Sequence, residues 1–218
     1  MEIPFLTSIV IFLPLVGAGL LLLVPRAAEQ AQKWLALLVS LATAGIGVAV
    51  FVDFDFDRTE TLQGVVSHGW IDAISARYDI GIDGLSLPLI ALTLLVVPLC
   101  IIYTWKYMPE PGNPKALLAL ILILHTGMLG TFVAQDLILF FVFFEVVLLP
   151  MYFLIGVWGG EQRQYASLKF FLYTLFGSAL MLISFLALFF LTGAETFNMV
   201  ELAQRVAEPA MHGIESLS

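Results

Sequence analysis

Long apolar runs separated by short polar segments dominate the pattern of this chain. A bilayer core of roughly 30 Å requires about 20 apolar residues of helix. Six runs approach that length, at 3–24, 34–52, 85–105, 116–135, 137–157 and 168–192. The runs are continuous rather than alternating, and no internal repeat is evident, so the pattern favours helices over a membrane barrel. We therefore predict an all-α integral membrane protein with about six transmembrane helices.

Two polar segments carry patterns of their own. The segment 53–84 ends in "GWIDAISARYDIGIDG", where apolar and polar residues alternate, and this predicts a short hairpin on the outer surface. The segment 193–218 is polar and weakly amphipathic, with Met199, Leu202, Ala203 and Val206 at helical spacing, which predicts an interfacial helix. The predicted organisation is helices 1–2 in 1–52, a hairpin loop in 53–84, helices 3–6 in 85–192, and a polar segment in 193–218.

The distribution of basic residues predicts the direction of insertion. Loops around 25–33, 106–115 and 159–169 hold six Lys or Arg residues, and the opposite segments hold Arg58, Arg77 and Arg205. Because Lys and Arg accumulate on the cytoplasmic side, we expect the N-terminus outside. In a bacterial inner membrane this is the periplasmic side, and the segments 53–84 and 193–218 would lie there too. The six residues of the basic side are Arg26, Lys33, Lys106, Lys115, Arg163 and Lys169.

Composition narrows the class of protein further. Hydrophobic residues make up 61% and charged residues 12% of the 218 residues, and the mean hydropathy is +1.01, which predicts the lipid bilayer as a partner. A net charge of -8 without any basic run argues against a nucleic-acid partner. The single Cys100 cannot form an internal disulfide. No CxxC, His–Cys cluster or HExxH motif occurs, so the sequence predicts no metal site or iron–sulfur cluster in this chain.

Glu145 is the strongest candidate for chemistry. It is the only charged residue between Asp136 and Glu161, inside "DLILFFVFFEVVLLPMYFLIG", and it lies roughly 12 Å along a helix that starts at Leu137. An acid at the centre of a spanning helix costs roughly 2.5–3.5 kcal/mol on insertion scales and usually needs a partner or a wet cavity. Two interpretations stay open: a proton-relay carboxylate, or a protonated acid that packs against a neighbouring helix.

Three other residues could assist such a relay. Pro150 predicts a kink one turn after Glu145 and a freed carbonyl at Val146, although prolines also occur in membrane helices for structural reasons. Lys169 is either an interfacial lysine or, if its helix begins near Gln162, a lysine that reaches the interior. His125 could pass protons near neutral pH or could be a packing residue. The nearby Gly127 and Gly130 predict close approach of another helix.

Three stretches of the chain resemble one family. They are "GIDGLSLPLIALTLLVVPL" at the third run, "QDLILFFVFFEVVLLPMYFLIGVWGG" across the fifth, and "QYASLKFFLYTLFGSALML" entering the sixth. Together they resemble the antiporter-like membrane subunit of respiratory complex I, the type called subunit M in bacteria and subunit four in mitochondria. The "DGLSLPL" stretch favours this type over the related L and N subunits.

The resemblance implies a proton-translocating membrane-arm subunit of NADH:quinone oxidoreductase, without redox chemistry in this chain itself. The essential glutamate of the family's fifth helix maps onto Glu145, by its place in "FFEVVLLPMYF". The family pairs this glutamate with a lysine on a seventh helix. NADH, FMN, iron–sulfur clusters and quinone are expected in partner subunits, with the L-type and N-type subunits as neighbours.

The resemblance also implies further helices, because family members have about fourteen and this sequence corresponds to the first part of that fold. We therefore expect the chain to be truncated before the helices that would follow residue 218. Two alternatives stay open. One is a subunit of a multisubunit sodium/proton antiporter or of a membrane-bound hydrogenase, which share the fold. The other is a non-transporting structural or assembly protein of the membrane, in which Glu145 would be a packing acid.

Overall fold

The computed structural model describes the backbone of residues 3–215, and the side chains of residues 5–207 apart from Asp72. Six of the helices described there are long and apolar enough to span a membrane, which confirms the predicted fold class. A two-stranded antiparallel sheet lies between the second and third of these helices. The elements are α1 (Ile3–Leu23), α2 (Glu29–Asp53), β1 (Gln63–Ile71), β2 (Ala76–Ile82), α3 (Ser86–Lys106), α4 (Pro114–Val133), α5 (Leu137–Trp158), α6 (Arg163–Thr192) and α7 (Met199–Glu215).

Two helices begin earlier than the apolar runs predict. Helix α2 begins at Glu29 and α6 at Arg163, whereas the runs place these starts at 34 and 168. The first turns of both helices are polar, and an apolar window detects only the part of a helix that matches the bilayer core. The earlier start of α6 places Lys169 inside the helix rather than at its beginning.

Helices α1 to α4 form a bundle, and α5 and α6 continue it on one side. Helix α1 packs against α2 and α4, α2 packs against α3, and α5 lies between α4 and α6. Close approach of α4 and α5 depends on Gly127, where a side-chain Cβ would lie 3.2 Å from the Val147 nitrogen and 3.3 Å from the Phe143 oxygen. This confirms the prediction that these small residues admit another helix.

The hairpin of β1 and β2 covers one end of the bundle, which we call the hairpin end. Strand β2 turns Ile80 and Ile82 into the core, where they pack with residues of α1 and α4, while most of β1 is exposed. The Tyr78 hydroxyl donates a hydrogen bond to the Ser8 hydroxyl at 3.2 Å. Burial raises the pKa of Tyr78, and the bond to Ser8 opposes that rise.

The link between α4 and α5 also belongs to the hairpin end. The Gln135 N–H donates to the Asp79 carbonyl at 2.8 Å, and the Leu137 N–H donates to the Phe197 carbonyl at 3.0 Å. The link therefore lies between β2 and the segment that leads into α7, and backbone hydrogen bonds join all three. This arrangement also explains why α4 ends at Val133, two residues earlier than predicted: Ala134 is extended and pairs with Ile80.

At the opposite end of the bundle, side chains donate hydrogen bonds to the free carbonyls at the end of α1 and just after it. The Lys115 ammonium donates to the Leu22 carbonyl at 2.7 Å and to the Val24 carbonyl at 2.9 Å. The Gln32 amide donates to the Pro25 carbonyl at 2.8 Å. A cation at a helix C-terminus is favourable because the last carbonyls have no partner within the helix. The two bonds of Lys115 fix the end of α1 against the start of α4.

Candidate functional site

Glu145 lies in the interior of α5, eight residues after the helix begins at Leu137. At 1.5 Å per residue this is roughly 12 Å along the helix axis, well inside the apolar segment. The Glu145 side chain is half-buried, and its Oε1 atom is enclosed yet has no hydrogen-bond partner among the described residues. A buried carboxyl oxygen without a partner is costly, so this atom requires a ligand, a water or a neighbouring group.

A groove of 430 Å³ runs beside Glu145 between α4 and α5, and we call it the Glu145 groove. The carboxyl group is the only charged group in its lining, and every other lining side chain is apolar. The lining residues are Leu120, Ile123, Phe141, Val142, Glu145, Val146, Leu149 and Pro150. The groove therefore presents one acidic group on an apolar surface that is open to a partner.

Pro150 lies in the same groove and inside α5. Because proline has no N–H group, the carbonyl of Val146 loses its donor within the helix. Val146 follows Glu145 directly and also lines the groove. The structure thus brings together the Glu145 carboxyl group and the Val146 carbonyl, which has no donor within its helix. The sequence predicts both groups, from Glu145 and Pro150 in an otherwise apolar helix.

Lys169 lies away from Glu145. Ring contacts between Tyr152 and Phe171 and between Phe140 and Phe185 fix the register of α5 and α6, and Glu145 is then level with residues near Ser178. Lys169 is about 15 Å from that level along the helix axis. Its side chain is exposed, with the ammonium 5.8 Å from the centre of the Tyr165 ring. This position is typical of an interfacial lysine.

His125 also lies on a different surface from Glu145. Gly127 faces α5, and His125 precedes it by two residues, which is about 200° around the helix. His125 therefore points into the bundle of α1, α2 and α3, where it is completely buried. Neither ring nitrogen has a hydrogen-bond partner among the described residues. The structure brings Glu145 and Pro150 together, and it separates both from His125 and Lys169.

Sequence reasoning missed a pair of acidic residues, Asp136 and Asp79, at the hairpin end. Asp136 is fully buried and accepts hydrogen bonds from the N–H groups of Ile138, Leu139 and Arg77, at 2.9, 3.0 and 3.2 Å. Burial raises the pKa of Asp136; the three N–H donors lower it and the nearby Asp79 raises it further. A local signal for the cap was present, since an Asp directly before an apolar run is typical of a helix start. The bond to Arg77 is non-local and left no trace in the sequence.

Asp79 is the other member of this pair. Its carboxylate accepts from the Arg77 guanidinium at 3.4 Å and from the Asn198 amide at 3.1 Å. Asn198 in turn caps the start of α7, because its side-chain oxygen accepts from the Val200 N–H at 3.0 Å. The two acids connect the hairpin, α5 and α7. They stabilise this connection and are not part of the Glu145 groove.

Comparisons with known proteins match this architecture. Residues 134–217 match the family model described as "NADH:quinone oxidoreductase/Mrp antiporter, TM". A relative from Picosynechococcus sp., named NAD(P)H-quinone oxidoreductase chain 4 2, is 38% identical over 93% of this chain and 38% of its own length. A relative from Rhodobacter capsulatus, named NADH-quinone oxidoreductase subunit M, is 38% identical over 86% of this chain and 36% of its own length.

A solved structure of a related protein has a fold similar to that of this chain. A chain of the respiratory complex I from Thermus thermophilus superposes with a TM-score of 0.77 and 28% identity, over 91% of this chain and 39% of that chain. The present chain thus spans about two fifths of the length of these proteins. Its sequence and its six spanning helices thus resemble those of quinone oxidoreductase subunits, and residues 134–217 match the NADH:quinone oxidoreductase/Mrp antiporter transmembrane family.

Proposed function

We propose that this chain forms part of a proton-translocating membrane-arm subunit of a NADH:quinone oxidoreductase, with Glu145 as a proton-carrying group. The observation that carries the proposal is the position of Glu145. Its carboxyl group lies deep in an apolar helix, lines an open groove and has an enclosed oxygen without a hydrogen-bond partner in the part of the chain that the structure describes. Ionisable groups at such positions mark proton and ion pathways by default. The similarity to quinone oxidoreductase subunits supports the same function.

The chemistry follows from the surroundings of the carboxyl group. We propose that a cation which approaches and leaves the groove couples the Glu145 carboxyl group to the movement of protons. No Lys or Arg side chain is among the residues that line the groove. We therefore propose that the cation comes from a segment outside these 218 residues or from a neighbouring subunit.

Lys169 is proposed as an interfacial lysine and not as this cation, since it lies about 15 Å from the level of Glu145. The basic residues of the opposite end support a cytoplasmic location for that end, and we propose a periplasmic N-terminus. In this orientation the hairpin end faces the periplasm. The redox cofactors and the quinone would be held by partner subunits.

A substitution at Glu145 tests the proposal in the assembled complex. In proteoliposomes, Glu145→Gln retains the shape of the side chain and removes its titratable proton. We expect proton translocation coupled to quinone reduction to fall by about tenfold or more, while the complex still assembles. Glu161→Gln is the matched control, because Glu161 is exposed in the loop after α5. Full proton transport in the Glu145→Gln complex would favour a structural or assembly protein instead.

The family description itself supports one second candidate, a subunit of a sodium/proton antiporter. An antiporter would exchange sodium for protons without any electron donor. The relatives named for quinone oxidoreductases, at 38% identity, favour the redox-driven complex. Proton uptake driven by a sodium gradient alone, in vesicles that hold the native assembly without NADH or quinone, would reverse this preference.

A further inference from the structure

His125 poses a different problem from Glu145. Glu145 borders an open groove, where a partner from outside the described residues can reach it. His125 is fully enclosed by the helices around it, with 0% of its surface exposed. Both of its ring nitrogens, and the hydroxyl of the adjacent Thr126, have no hydrogen-bond partner among the described residues. A side chain or chain segment from elsewhere has no access to these atoms, so a partner must be small enough to lie inside the bundle.

The register of the four helices shows what lies near His125. A small cavity of about 10 Å³ is bordered by Val10 of α1, Gly47 of α2, Ile90 of α3 and Leu129 of α4, so these residues lie at one level. One helical turn further from the hairpin end, the same helices present Pro14, Thr43, Leu94 and His125. The four helices thus bring a proline, a threonine and a histidine to one depth.

The prolines add backbone acceptors at this depth. Pro14 lies inside α1 and Pro98 inside α3, so the carbonyls of Val10 and Leu94 lose their donors within the helices. Both Val10 and Leu94 are buried. In the interior of a membrane protein, such freed carbonyls are satisfied by side chains or by ordered water. His125 has an N–H to donate, but its nitrogens contact neither carbonyl directly.

A buried hydroxyl completes the set. Thr43 is fully buried, and its hydroxyl donates to the Val39 carbonyl at 2.8 Å, which leaves its oxygen lone pairs free to accept. The level thus holds two acceptor carbonyls, an acceptor hydroxyl and a ring with one donor and one acceptor nitrogen. A buried water typically makes about three hydrogen bonds to groups of this kind.

From this arrangement we infer that His125 is the centre of a water-binding site inside α1–α4, with the freed carbonyls of Val10 and Leu94 and the hydroxyls of Thr43 and Thr126 as its other polar groups. The ligand is one or two water molecules, which bridge the ring nitrogens to these oxygens. The site is separate from the Glu145 groove, because His125 faces the opposite side of α4. It does not depend on the proposed role of Glu145.

Deuterium exchange at the ring C2 carbon of histidine tests the site in the intact complex in its native membrane or detergent. This exchange requires contact with water and is read by mass spectrometry over days. His68 is the internal reference, because it lies exposed in β1. We expect His125 to incorporate deuterium, more slowly than His68, while the backbone amides of the middle of α4 stay protected.

Two results would overturn the inference. One is a complete lack of deuterium at His125 in samples where His68 exchanges fully, because the ring would then be dry. The other is exchange at His125 that keeps pace with exchange of the α4 backbone amides, because water would then enter only when the helix opens. A Thr43→Val variant sharpens the test: loss of one acceptor should slow the exchange at His125 by twofold or more, and an unchanged rate would remove Thr43 from the site.

Discussion

Substitution of Asp136 should loosen the hairpin end more than any other single change at an acidic residue there. The Asp136 carboxylate accepts three backbone hydrogen bonds, two from the first turn of α5 and one from Arg77 in β2. Asp136→Ala removes the cap of α5 and leaves the Arg77 N–H without its acceptor. Loss of a cap costs about 0.5–2 kcal/mol, and an unsatisfied buried donor costs about 1–3 kcal/mol. We expect a loss of about 1.5–5 kcal/mol in the free energy of unfolding.

Asp136→Asn separates these two contributions. The asparagine oxygen can still accept from Ile138 and Leu139, so the cap persists, whereas the bond from Arg77 is lost. We expect a loss of about 1–3 kcal/mol, the cost of leaving that donor unsatisfied. Asp55→Ala is the matched control, because Asp55 also accepts a backbone hydrogen bond at a helix start but is exposed. Its loss should be below about 1 kcal/mol.

The pH dependence of the Asp136→Asn effect supplies an independent check. Burial raises the pKa of Asp136 in the folded protein, so the folded state binds this proton more tightly than the unfolded state. The stabilisation from protonated Asp136 is then complete below the unfolded pKa, about 4, and is lost as pH rises through the folded pKa. The wild type should therefore lose stability relative to the Asp136→Asn variant as pH increases through this window.

Thermal unfolding in detergent and amide exchange of the first turn of α5 measure these effects. Faster exchange of the Ile138 and Leu139 amides in the alanine variant than in the asparagine variant would support the reasoning. Equal exchange rates in the wild type and the alanine variant would refute it, because the three hydrogen bonds would then contribute nothing. A gap between wild type and the asparagine variant that widens in favour of wild type with rising pH would refute the assigned direction of the pKa shift.

Three further outcomes follow from the packing. Gly127→Ala should destabilise the protein by about 1–3 kcal/mol through overpacking against α5, whereas Gly177→Ala on the open surface of α6 should be neutral or slightly stabilising, as thermal unfolding would show. Lys115→Met should cost about 1–3 kcal/mol, since two carbonyls at the end of α1 lose a charged donor. Lys33→Met is the comparison, because the Lys33 side chain makes no such hydrogen bond among the described residues. Lys169→Gln should leave proton translocation within about twofold of wild type in proteoliposomes, because an exposed interfacial lysine contributes little, and a loss comparable to that of Glu145→Gln would contradict its assignment to the interface.

The sequence was sufficient for the features that depend on one helix at a time. The length of each apolar run predicts six spanning helices, and the isolated position of Glu145 predicts a carboxyl group deep in α5. Pro150 and the carbonyl it frees also follow from spacing within one helix. Each of these features is encoded by neighbours in the chain. The structure agrees with them except at the polar starts of α2 and α6, where an apolar run gives no signal, and at the end of α4, where Ala134 pairs with Ile80.

Features that join distant segments could not be predicted in the same way. Asp136 and Arg77 are 59 positions apart, and Asp79 and Asn198 are 119 positions apart. Nothing in the local pattern indicates that the hairpin, the α4–α5 link and the start of α7 form one hydrogen-bonded unit. The face of α4 on which His125 lies could not be predicted either. It becomes known only from the contacts of Gly127 with Val147 and Phe143, which show the side of α4 that faces α5.

Glu145 and His125 show how burial decides what an unpaired polar group can mean. Both residues have side-chain atoms with no hydrogen-bond partner among residues that the structure describes, and both lie in helices long and apolar enough to span a membrane. The Glu145 carboxyl group borders an open groove, so a partner can arrive and leave. The His125 ring is completely buried, so its partner must be resident, and we infer that this partner is water. One group is therefore placed to exchange with its surroundings, and the other is placed to hold water inside the bundle.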